Sequence, residues 1–393
     1  MTAVARPATG LALRLAPQRL IMAMFFVQAA ALNNWFPRIP DIQAQLGLTP
    51  GQLAIALLGM PIGGLIGTAI AARVIEKITA RQTLGYGFIF YGAIAVLPGW
   101  AWSLPALFAI LFMAGIAYVI IDVAANVEAT RIQDAIGRRI LATCHGFWSL
   151  GSVLGLVAGS AFAEWQVEVR WHLLVAILVI VPIGFVIARA LPQFEPKPAN
   201  ERVRPPFAAL PSLPMLGLCV FAFGAIVGEL TARNWGAVYL RETIGASAAA
   251  TGVGFAAFSL FMTAGRLAGD RLTDRFGIVT LGRVCAALAV IGVVALVAAN
   301  NLFLAVIGLA AMGAGVSVAF PLAITAAAGF GGGRSPAVNV AALSLVAYSG
   351  SLIGAPLVGF VADQWGLRVG LAAILPLVVL SAVFAGSLRP KAL

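Results

Sequence analysis

The stretch of the sequence with the clearest chemical meaning is Gly115–Asn126, where an acidic side chain lies within a long apolar run. A carboxylate in hydrocarbon costs about 2.5–3.5 kcal/mol even on lenient insertion scales, so Asp122 is expected to face a cavity, bind a partner or carry a proton. Asn126 lies four residues later and therefore shares a helix face with Asp122. We predict that Asp122 is a proton-coupling residue, and the alternative is a structural carboxylate that is hydrogen-bonded within one helix bundle.

Other polar and aromatic residues within apolar runs could bind a polar solute through hydrogen bonds or ring stacking. His145 could also relay protons from Asp122. Hydrogen bonding between helices or core packing explains each of these residues as well, so both interpretations stay open. The predicted substrate-binding residues are Gln28, Asn33, Asn34, Asn126, His145, Trp148 and Tyr348.

Glu229 and Arg233 are separated by four residues, so they are predicted to pair along one face of a helix. The pair is expected either to act as an outer gate or to contact the substrate. An anionic substrate would favour the second role, because it would seek Arg233.

The sequence does not contain a motif typical of an enzyme, such as G-x-S-x-G or H-E-x-x-H, so we do not expect an enzyme. The three cysteines have no C-x-x-C spacing and no accompanying histidine cluster, and we expect no metal and no cofactor. The formal net charge is +11, but the basic residues form no run with interleaved aromatic residues. We therefore expect no nucleic acid as a partner.

The composition indicates a membrane protein. Of 393 residues, 61% are hydrophobic and only 10% are charged, and the mean hydropathy is +1.01. A soluble domain of this composition could not cover its surface with polar atoms. The apolar runs are continuous and about 20 residues long, which predicts transmembrane helices. The predicted spans are 19–37, 50–72, 82–101, 104–127, 140–163, 169–190, 211–235, 247–268, 279–299, 302–327, 338–361 and 367–388.

The distribution of basic residues predicts the orientation of these spans. With the amino terminus inside, the inner segments hold 20 Lys and Arg residues and the outer segments hold 5. Cytoplasmic loops are enriched in Lys and Arg, so both termini are predicted to be cytoplasmic. The first apolar run lacks a small-residue cleavage site after it, and we interpret it as the first span rather than a signal peptide.

The chain divides near its midpoint into two halves that repeat each other. A proline-rich polar segment, 191–210, is predicted to be a cytoplasmic linker between a six-helix bundle over 1–190 and a second over 211–393. Asn34-Trp35 recurs as Asn234-Trp235, and Gly151–Gly155 resembles Gly350–Gly354. Parallel repeats of six spans suit two bundles that rock about a site at the membrane midplane.

The layout and one motif resemble the major facilitator superfamily. The segment Gly265–Gly277, which we place in the loop after span eight, is similar to the family signature G-x-L-x-D-R-x-G-R, whereas the copy after span two is degenerate. The resemblance implies that charged residues of this segment hold the cytoplasmic face in one state. A generic inner loop with solvated charges is the alternative. The residues of the implied conformational lock are Gly265, Asp270, Arg271, Asp274 and Arg275.

Span four resembles the fucose-permease branch of that superfamily, whose fourth helix carries an acid followed by T-A-A-N-P. Asp122–Val127 keeps the acid, the two alanines and the asparagine. The resemblance implies that Asp122 is the protonatable carboxylate at a sugar site. Where the branch has a second acid in span one, this chain has Asn34, so the alternative to proton coupling is a facilitator or a differently coupled carrier.

We therefore predict an all-α membrane protein with twelve transmembrane helices in two pseudo-symmetric six-helix bundles. The predicted function is secondary active transport of a small polar solute, a sugar or polyol, by proton-coupled symport and alternating access. The alternative is a proton-coupled exporter of drugs or metabolites, and a receptor without transport activity is disfavoured because no soluble signalling domain is visible. The predicted partners are the solute, protons and the lipid bilayer. The expected setting is a bacterial inner membrane, with the protein as a monomer.

Overall fold

The structure is a computed structural model and describes residues 16–137, 140–194, 210–330 and 336–389. Within these residues the regular elements are α-helices and short 3-10 helices, without a β-sheet. Twelve segments of this part of the chain are long and apolar enough to cross a membrane. The predicted fold class, all-α with twelve transmembrane segments, is confirmed.

The first half of the chain forms eight α-helices among the described residues. Two pairs of consecutive helices each make up one spanning segment, α1 with α2 and α3 with α4. The helices are α1 (Pro17–Asn33), α2 (Ile39–Leu46), α3 (Pro50–Leu57), α4 (Gly59–Ile78), α5 (Ala80–Ala95), α6 (Leu104–Ile136), α7 (Leu141–Glu164) and α8 (Val169–Ala190).

The second half contributes eight more helices to the described part of the chain. Here α12 and α13 make up one span, interrupted at Ser317 and Val318, and α15 and α16 make up the last. The helices are α9 (Leu216–Glu242), α10 (Ala248–Phe276), α11 (Ile278–Ala298), α12 (Leu302–Val316), α13 (Ala319–Ala328), α14 (Pro336–Trp365), α15 (Leu367–Ala372) and α16 (Leu375–Phe384).

Contacts divide the described residues into two compact units. Unit 1 comprises those within Met1–Gly47 and Ile55–Arg202, and unit 2 comprises Leu48–Ala54 together with those within Val203–Leu393. The short segment Leu48–Ala54 belongs to unit 2 because Asp363 of α14 accepts hydrogen bonds from the Gly51 N–H (2.9 Å) and the Thr49 hydroxyl (3.1 Å). The sequence-based domain limits at 190 and 211 stay predictions, because residues 195–209 lie outside the described part.

Glycines spaced by four residues bring α4 and α6 into backbone contact in unit 1. A Cβ atom on Gly59, Gly63 or Gly67 would overlap a backbone carbonyl oxygen of α6. Small residues at this spacing allow membrane helices to approach closely, and van der Waals packing then stabilises the pair. The facing carbonyl groups belong to Phe108, Phe112 and Ile116. This seam fixes the position of α6, the helix that carries Asp122.

A second glycine seam joins α7 to α1. Gly151, Gly155 and Gly159 lie against backbone carbonyl groups of α1 and of Asn34, which follows it. In unit 2 the corresponding glycines of α14, Gly350 and Gly354, contact α9 more loosely. The repeat noted in the sequence therefore has a structural counterpart, since in both units these glycines contact the first long helix.

Two helices extend further than the apolar runs that predicted them. The predicted span 104–127 continues as helix to Ile136, and Gly137 ends it with a φ of +66°. The prediction that Gly265–Gly277 is a loop is wrong: α10 continues to Phe276, and Gly277 ends it with a φ of +79°. Hydropathy marks where a helix leaves the apolar layer, whereas helical hydrogen bonding persists until a residue such as glycine with positive φ interrupts it.

Candidate functional site

Asp122 lies just past the midpoint of the 33-residue helix α6 and is only partly buried. Gln28 of α1, which is 2% exposed, donates a hydrogen bond from Nε2 to Asp122 Oδ1 at 3.0 Å. Asn126 donates from Nδ2 to the Asp122 backbone carbonyl at 2.9 Å, and its contact with Asp122 Oδ2 measures 3.5 Å. The structure thus brings these three predicted residues together, with an amide donor near each carboxylate oxygen.

An aromatic group that the sequence analysis did not select lies beside this carboxylate. Tyr118 precedes Asp122 by four residues on α6, and its hydroxyl accepts a hydrogen bond from Trp148 Nε1 at 3.1 Å. The ring of Tyr91 lies 5.9 Å from the ring of Tyr118. The signal was present in the sequence, because positions 118, 122 and 126 follow the i, i+4, i+8 spacing of one helix face. Trp148, a predicted residue, therefore joins the site through Tyr118.

Asn33 and Asn34 take part in a different arrangement. Both are buried, and Asn33 Nδ2 donates to the Ala29 carbonyl at 2.8 Å. Asn34 Nδ2 donates to the Ala31 carbonyl at 2.7 Å and the Ala30 carbonyl at 3.3 Å. The Asn34 amide thus bonds carbonyl groups of the last turn of α1, which have no partner within the helix, whereas the Asn33 amide bonds back onto the turn before. Their predicted role in substrate binding stays a prediction.

The two remaining aromatic candidates are exposed and contact rings. His145 at the start of α7 lies edge-on to Phe25, with 5.2 Å between ring centroids. Tyr348 of α14 lies 5.2 Å from the ring of Phe320. Exposure keeps both side chains accessible within their own units, and their binding roles stay predictions.

The predicted pairing of Glu229 with Arg233 is confirmed within unit 2. Glu229 Oε1 accepts hydrogen bonds from Arg233 Nε at 3.3 Å and from its Nη2 at 3.2 Å. The Arg233 guanidinium also lies 5.8 Å from the centroid of the Phe258 ring on α10. This stacking favours a cation, because the ring face is electron-rich.

Arg266 of α10 extends this charged pair into a cluster. Its Nη2 lies 3.7 Å from Glu229 Oε2, and its Nε donates to the Ser317 carbonyl at 3.1 Å, in the interruption between α12 and α13. The sequence analysis counted Arg266 only as a basic residue of the inner side. The missed signal is again helical spacing, since Phe258, Met262 and Arg266 are each separated by four residues and all three contact the α9 pair or extend its network.

The residues of the implied conformational lock lie on the last turns of α10. Asp270, Arg271 and Asp274 are exposed, and they form no ion pair with another described residue. Arg275 stacks on Phe276, with 5.2 Å between the guanidinium carbon and the ring centroid. Gly265 allows α10 to approach Ser317, because a Cβ atom there would overlap the Ser317 side chain. The locking role stays a prediction.

One buried acid was not selected from the sequence. Glu128 of α6 is 1% exposed, and its Oε1 has no hydrogen-bond partner in the described part of the chain. Within residues 16–137, 140–194, 210–330 and 336–389, the structure holds no group of three His, Cys, Asp or Glu side chains that could bind a metal ion.

The sequence matches a family model over most of its length. The model, described as Major Facilitator Superfamily, matches residues 21–233 and 218–392. The uncharacterized transporter y4wD of Sinorhizobium fredii is 29% identical over 361 residues, which cover 90% of this chain and 93% of the relative. The membrane protein MosC of Rhizobium meliloti is 24% identical over 343 residues, covering 87% and 83% of the two chains.

Solved structures share the fold at low sequence identity. The nucleoside transporter NupG superposes with a TM-score of 0.74 at 13% identity, covering 95% of this chain and 98% of that one. The fucose:proton symporter FucP of E. coli gives a TM-score of 0.60 at 17% identity, covering 95% and 98%. At such identities the likeness concerns the fold alone.

Proposed function

The chain belongs to the Major Facilitator Superfamily and is a membrane transporter, and on that premise we propose proton-coupled symport of a small polar solute, a sugar or polyol, by alternating access. The observation that carries the proposal is the Asp122 carboxylate within a spanning helix, held by amide donors from Gln28 and Asn126. An acid at this depth is expensive to retain for packing alone.

The hydrogen-bond chemistry of the Asp122 carboxylate supports coupling of proton transport to solute transport. The ionised carboxylate only accepts hydrogen bonds, whereas the protonated acid also donates one. Proton uptake at Asp122 therefore removes a charge from the spanning segment and changes what the neighbouring amides and a solute hydroxyl can bond. A solute that binds the protonated form better shifts the protein toward that form, which links the two binding events.

The same residues supply contacts suited to a hydroxylated solute. The Gln28 and Asn126 amides can donate to and accept from hydroxyl groups, and the rings of Tyr118 and Trp148 offer apolar faces for the CH groups of a sugar. Asn33, Asn34, His145 and Tyr348 remain proposed contributors to the site. A fucose:proton symporter among the structures with this fold agrees with this solute class.

The test is solute-induced proton movement in proteoliposomes that contain a trapped pH dye. Sugars and polyols are added one at a time to wild type, to Asp122→Asn and to Asp134→Asn. Asp134 is an exposed acid near the end of the same helix, so it is a matched control. We expect a solute-dependent proton influx that Asp122→Asn abolishes and Asp134→Asn retains. Equal proton influx in wild type and Asp122→Asn would remove Asp122 from the mechanism.

The alternative function is proton-coupled export of drugs or metabolites. The aromatic group formed by Tyr91, Tyr118 and Trp148 beside Asp122 favours it, since such rings bind flat apolar molecules. The same proteoliposomes distinguish the two functions by the sign of the proton movement. Symport moves protons in the direction of the solute, and exchange moves them in the opposite direction.

We also propose a monomer in a bacterial inner membrane with both termini in the cytoplasm. The 20 to 5 distribution of Lys and Arg supports the orientation, and the relatives from Sinorhizobium and Rhizobium support a bacterial setting. A carboxyl-terminal green fluorescent protein should fluoresce, and carboxyl-terminal alkaline phosphatase should be inactive. The opposite reporter pattern would overturn the proposed orientation.

A further inference from the structure

The cluster of Glu229, Arg233 and Arg266 in unit 2 has an excess of positive charge. Two guanidinium groups contact one carboxylate, at 3.2 Å from Arg233 and 3.7 Å from Arg266. The three side chains therefore carry a formal charge of +1. All three belong to segments long and apolar enough to cross a membrane, where charged side chains are costly and mark functional sites.

The other acids among the described residues of unit 2 are Glu242, Asp270, Asp274 and Asp363. Glu242 is thirteen residues after Glu229 on α9, which corresponds to about 20 Å along the helix at 1.5 Å per residue. Asp363 accepts hydrogen bonds from Gly51 and Thr49. Asp270 lies one turn after Arg266 on α10, but Asp270 and Asp274 are both exposed, and within the described residues neither forms an ion pair with Arg266.

The two arginines differ in how much of each side chain is accessible. The Arg233 side chain is 7% exposed and that of Glu229 is 17% exposed, whereas that of Arg266 is 31% exposed. The 3.7 Å contact from Arg266 to Glu229 is longer than a hydrogen bond. Its Nε donates to the Ser317 carbonyl, which orients the guanidinium group and leaves its terminal nitrogens without a direct hydrogen bond to Glu229.

We propose that Arg266, supported by Arg233, binds a carboxylate of the transported solute. This inference rests on the proposed transport function and narrows its substrate to a hydroxylated organic acid, such as a sugar acid. A carboxylate matches the guanidinium fork and can accept two parallel hydrogen bonds. Its single negative charge also neutralises the cluster, whereas a phosphate monoester, at about −1.5 to −2, would leave a negative excess.

Glu229 then has a definite role in this site. It holds Arg233 and competes with the solute for Arg266, since both carboxylates seek the same guanidinium group. Removing the negative charge of Glu229 should therefore strengthen binding of a carboxylate solute. If the three side chains formed only a structural ion-pair network, loss of any one of them would destabilise unit 2, and removal of the Glu229 charge would not strengthen carboxylate binding.

The test measures ligand-induced thermal stabilisation of the purified full-length protein at constant ionic strength. The probes are matched pairs of neutral and carboxylate solutes, glucose with glucuronate and with gluconate, and glucose 6-phosphate as the phosphate arm. Wild type should bind at least one carboxylate at least tenfold more tightly than glucose and than glucose 6-phosphate. The proposal would be overturned if glucose bound as tightly as both carboxylates. It would also be overturned if neither carboxylate stabilised the protein at about 50 mM.

Three variants separate the site from general stability. Arg266→Gln should weaken carboxylate binding at least tenfold, and Glu229→Gln should tighten it. Arg283→Gln removes one positive charge from an exposed position of α11 in the same unit and should bind as wild type does. Equal affinity of wild type and Arg266→Gln, or equal losses in Arg266→Gln and Glu229→Gln, would overturn the proposal.

Failure of this inference can be distinguished from failure of the proposed function. If neutral sugars drive proton movement that depends on Asp122 and carboxylates do not bind, symport holds and the anion site is wrong. If carboxylates bind through Arg266 but move no protons into proteoliposomes, the anion site holds and proton symport is wrong.

Discussion

Replacement of Gly155 by alanine tests whether the glycine seam between α7 and α1 positions the site. An added Cβ atom would lie 2.7 Å from the Ala30 carbonyl oxygen and 3.0 Å from the Asn34 nitrogen. Ordinary Cβ contacts begin at 3.4 Å, so the two helices must separate by about 0.7 Å. Because both close neighbours are backbone atoms, no side-chain rotation can relieve the overlap.

The expected magnitude follows from two opposing effects. Overpacking of a well-packed interior costs about 1–3 kcal/mol, and alanine in place of a helical glycine gains about 0.5–1 kcal/mol. The free energy of unfolding should therefore fall by about 1 kcal/mol, within a range of about 0–2.5 kcal/mol. A displacement of 0.7 Å along the 3.0 Å bond from Gln28 to Asp122 would also lengthen it beyond hydrogen-bonding distance.

The assay is thermal unfolding in detergent, followed by tryptophan fluorescence, together with proton-coupled uptake per folded protein. Gly85→Ala is the matched control, because its new Cβ atom would meet Ala188 and Phe185 at an ordinary 3.7 Å. Gly85→Ala should be as stable as wild type or more stable, and Gly155→Ala should unfold at lower temperature and transport less. If Gly155→Ala proves as stable and as active as Gly85→Ala, the seam does not determine the position of α1.

Three further predictions concern contacts away from the proposed site. Asp363→Ala should lower the stability of unit 2 by about 1 kcal/mol, because it removes the acceptor of the hydrogen bonds from the Gly51 N–H and the Thr49 hydroxyl. Gly51→Ala keeps the backbone N–H, but the added Cβ atom would overlap the Asp363 carboxylate and displace it, so a similar loss is expected. The double variant should be no worse than either single one, because both changes act on the same contact; additive losses in thermal unfolding would contradict this. Ser381→Ala should cost about 0.6 kcal/mol, since its hydroxyl donates to the Phe221 carbonyl at 2.7 Å, and an unchanged unfolding temperature would argue against that bond. The three cysteines are buried and form no disulfide, so a maleimide reagent should label them slowly in the native protein and fully in the unfolded protein. Rapid labelling of the native protein would contradict the burial of Cys144, Cys219 and Cys285.

The number and type of the spanning elements could be predicted from the sequence because the bilayer constrains them strongly. Only helices and closed barrels satisfy backbone hydrogen bonds in hydrocarbon, so continuous apolar runs of sufficient length leave few alternatives. Helix ends were harder to predict, as α6 and α10 show, because hydropathy reports the edge of the apolar layer and not the end of backbone hydrogen bonding. The segment after Gly265 was therefore taken for a loop although it is helical.

The site was predictable to the extent that helical spacing alone determines it. Asp122 with Asn126, and Glu229 with Arg233, lie one turn apart on single helices, and their contacts followed from that spacing. Gln28 could be named as a candidate, but its bond to Asp122 joins residues 94 positions apart. Such a contact depends on which faces of α1 and α6 meet, and the sequence does not state this directly.

Arg266 shows most clearly why the charge map of the sequence was incomplete. Counting basic residues assigns each arginine to one side of the membrane, and this treatment is adequate for residues at the ends of spans. Arg266 instead lies on the face of α10 that packs on α9, where Phe258 and Met262 already contact Arg233. Its partners are a carboxylate of another helix and a carbonyl group exposed by the interruption of the span at Ser317. Arg266 is aligned with the Glu229–Arg233 pair along a helix face and is bonded to an interrupted backbone, so its position suits solute binding better than orientation of the protein in the membrane. The positive charge of this cluster therefore supports our proposal of an acidic solute.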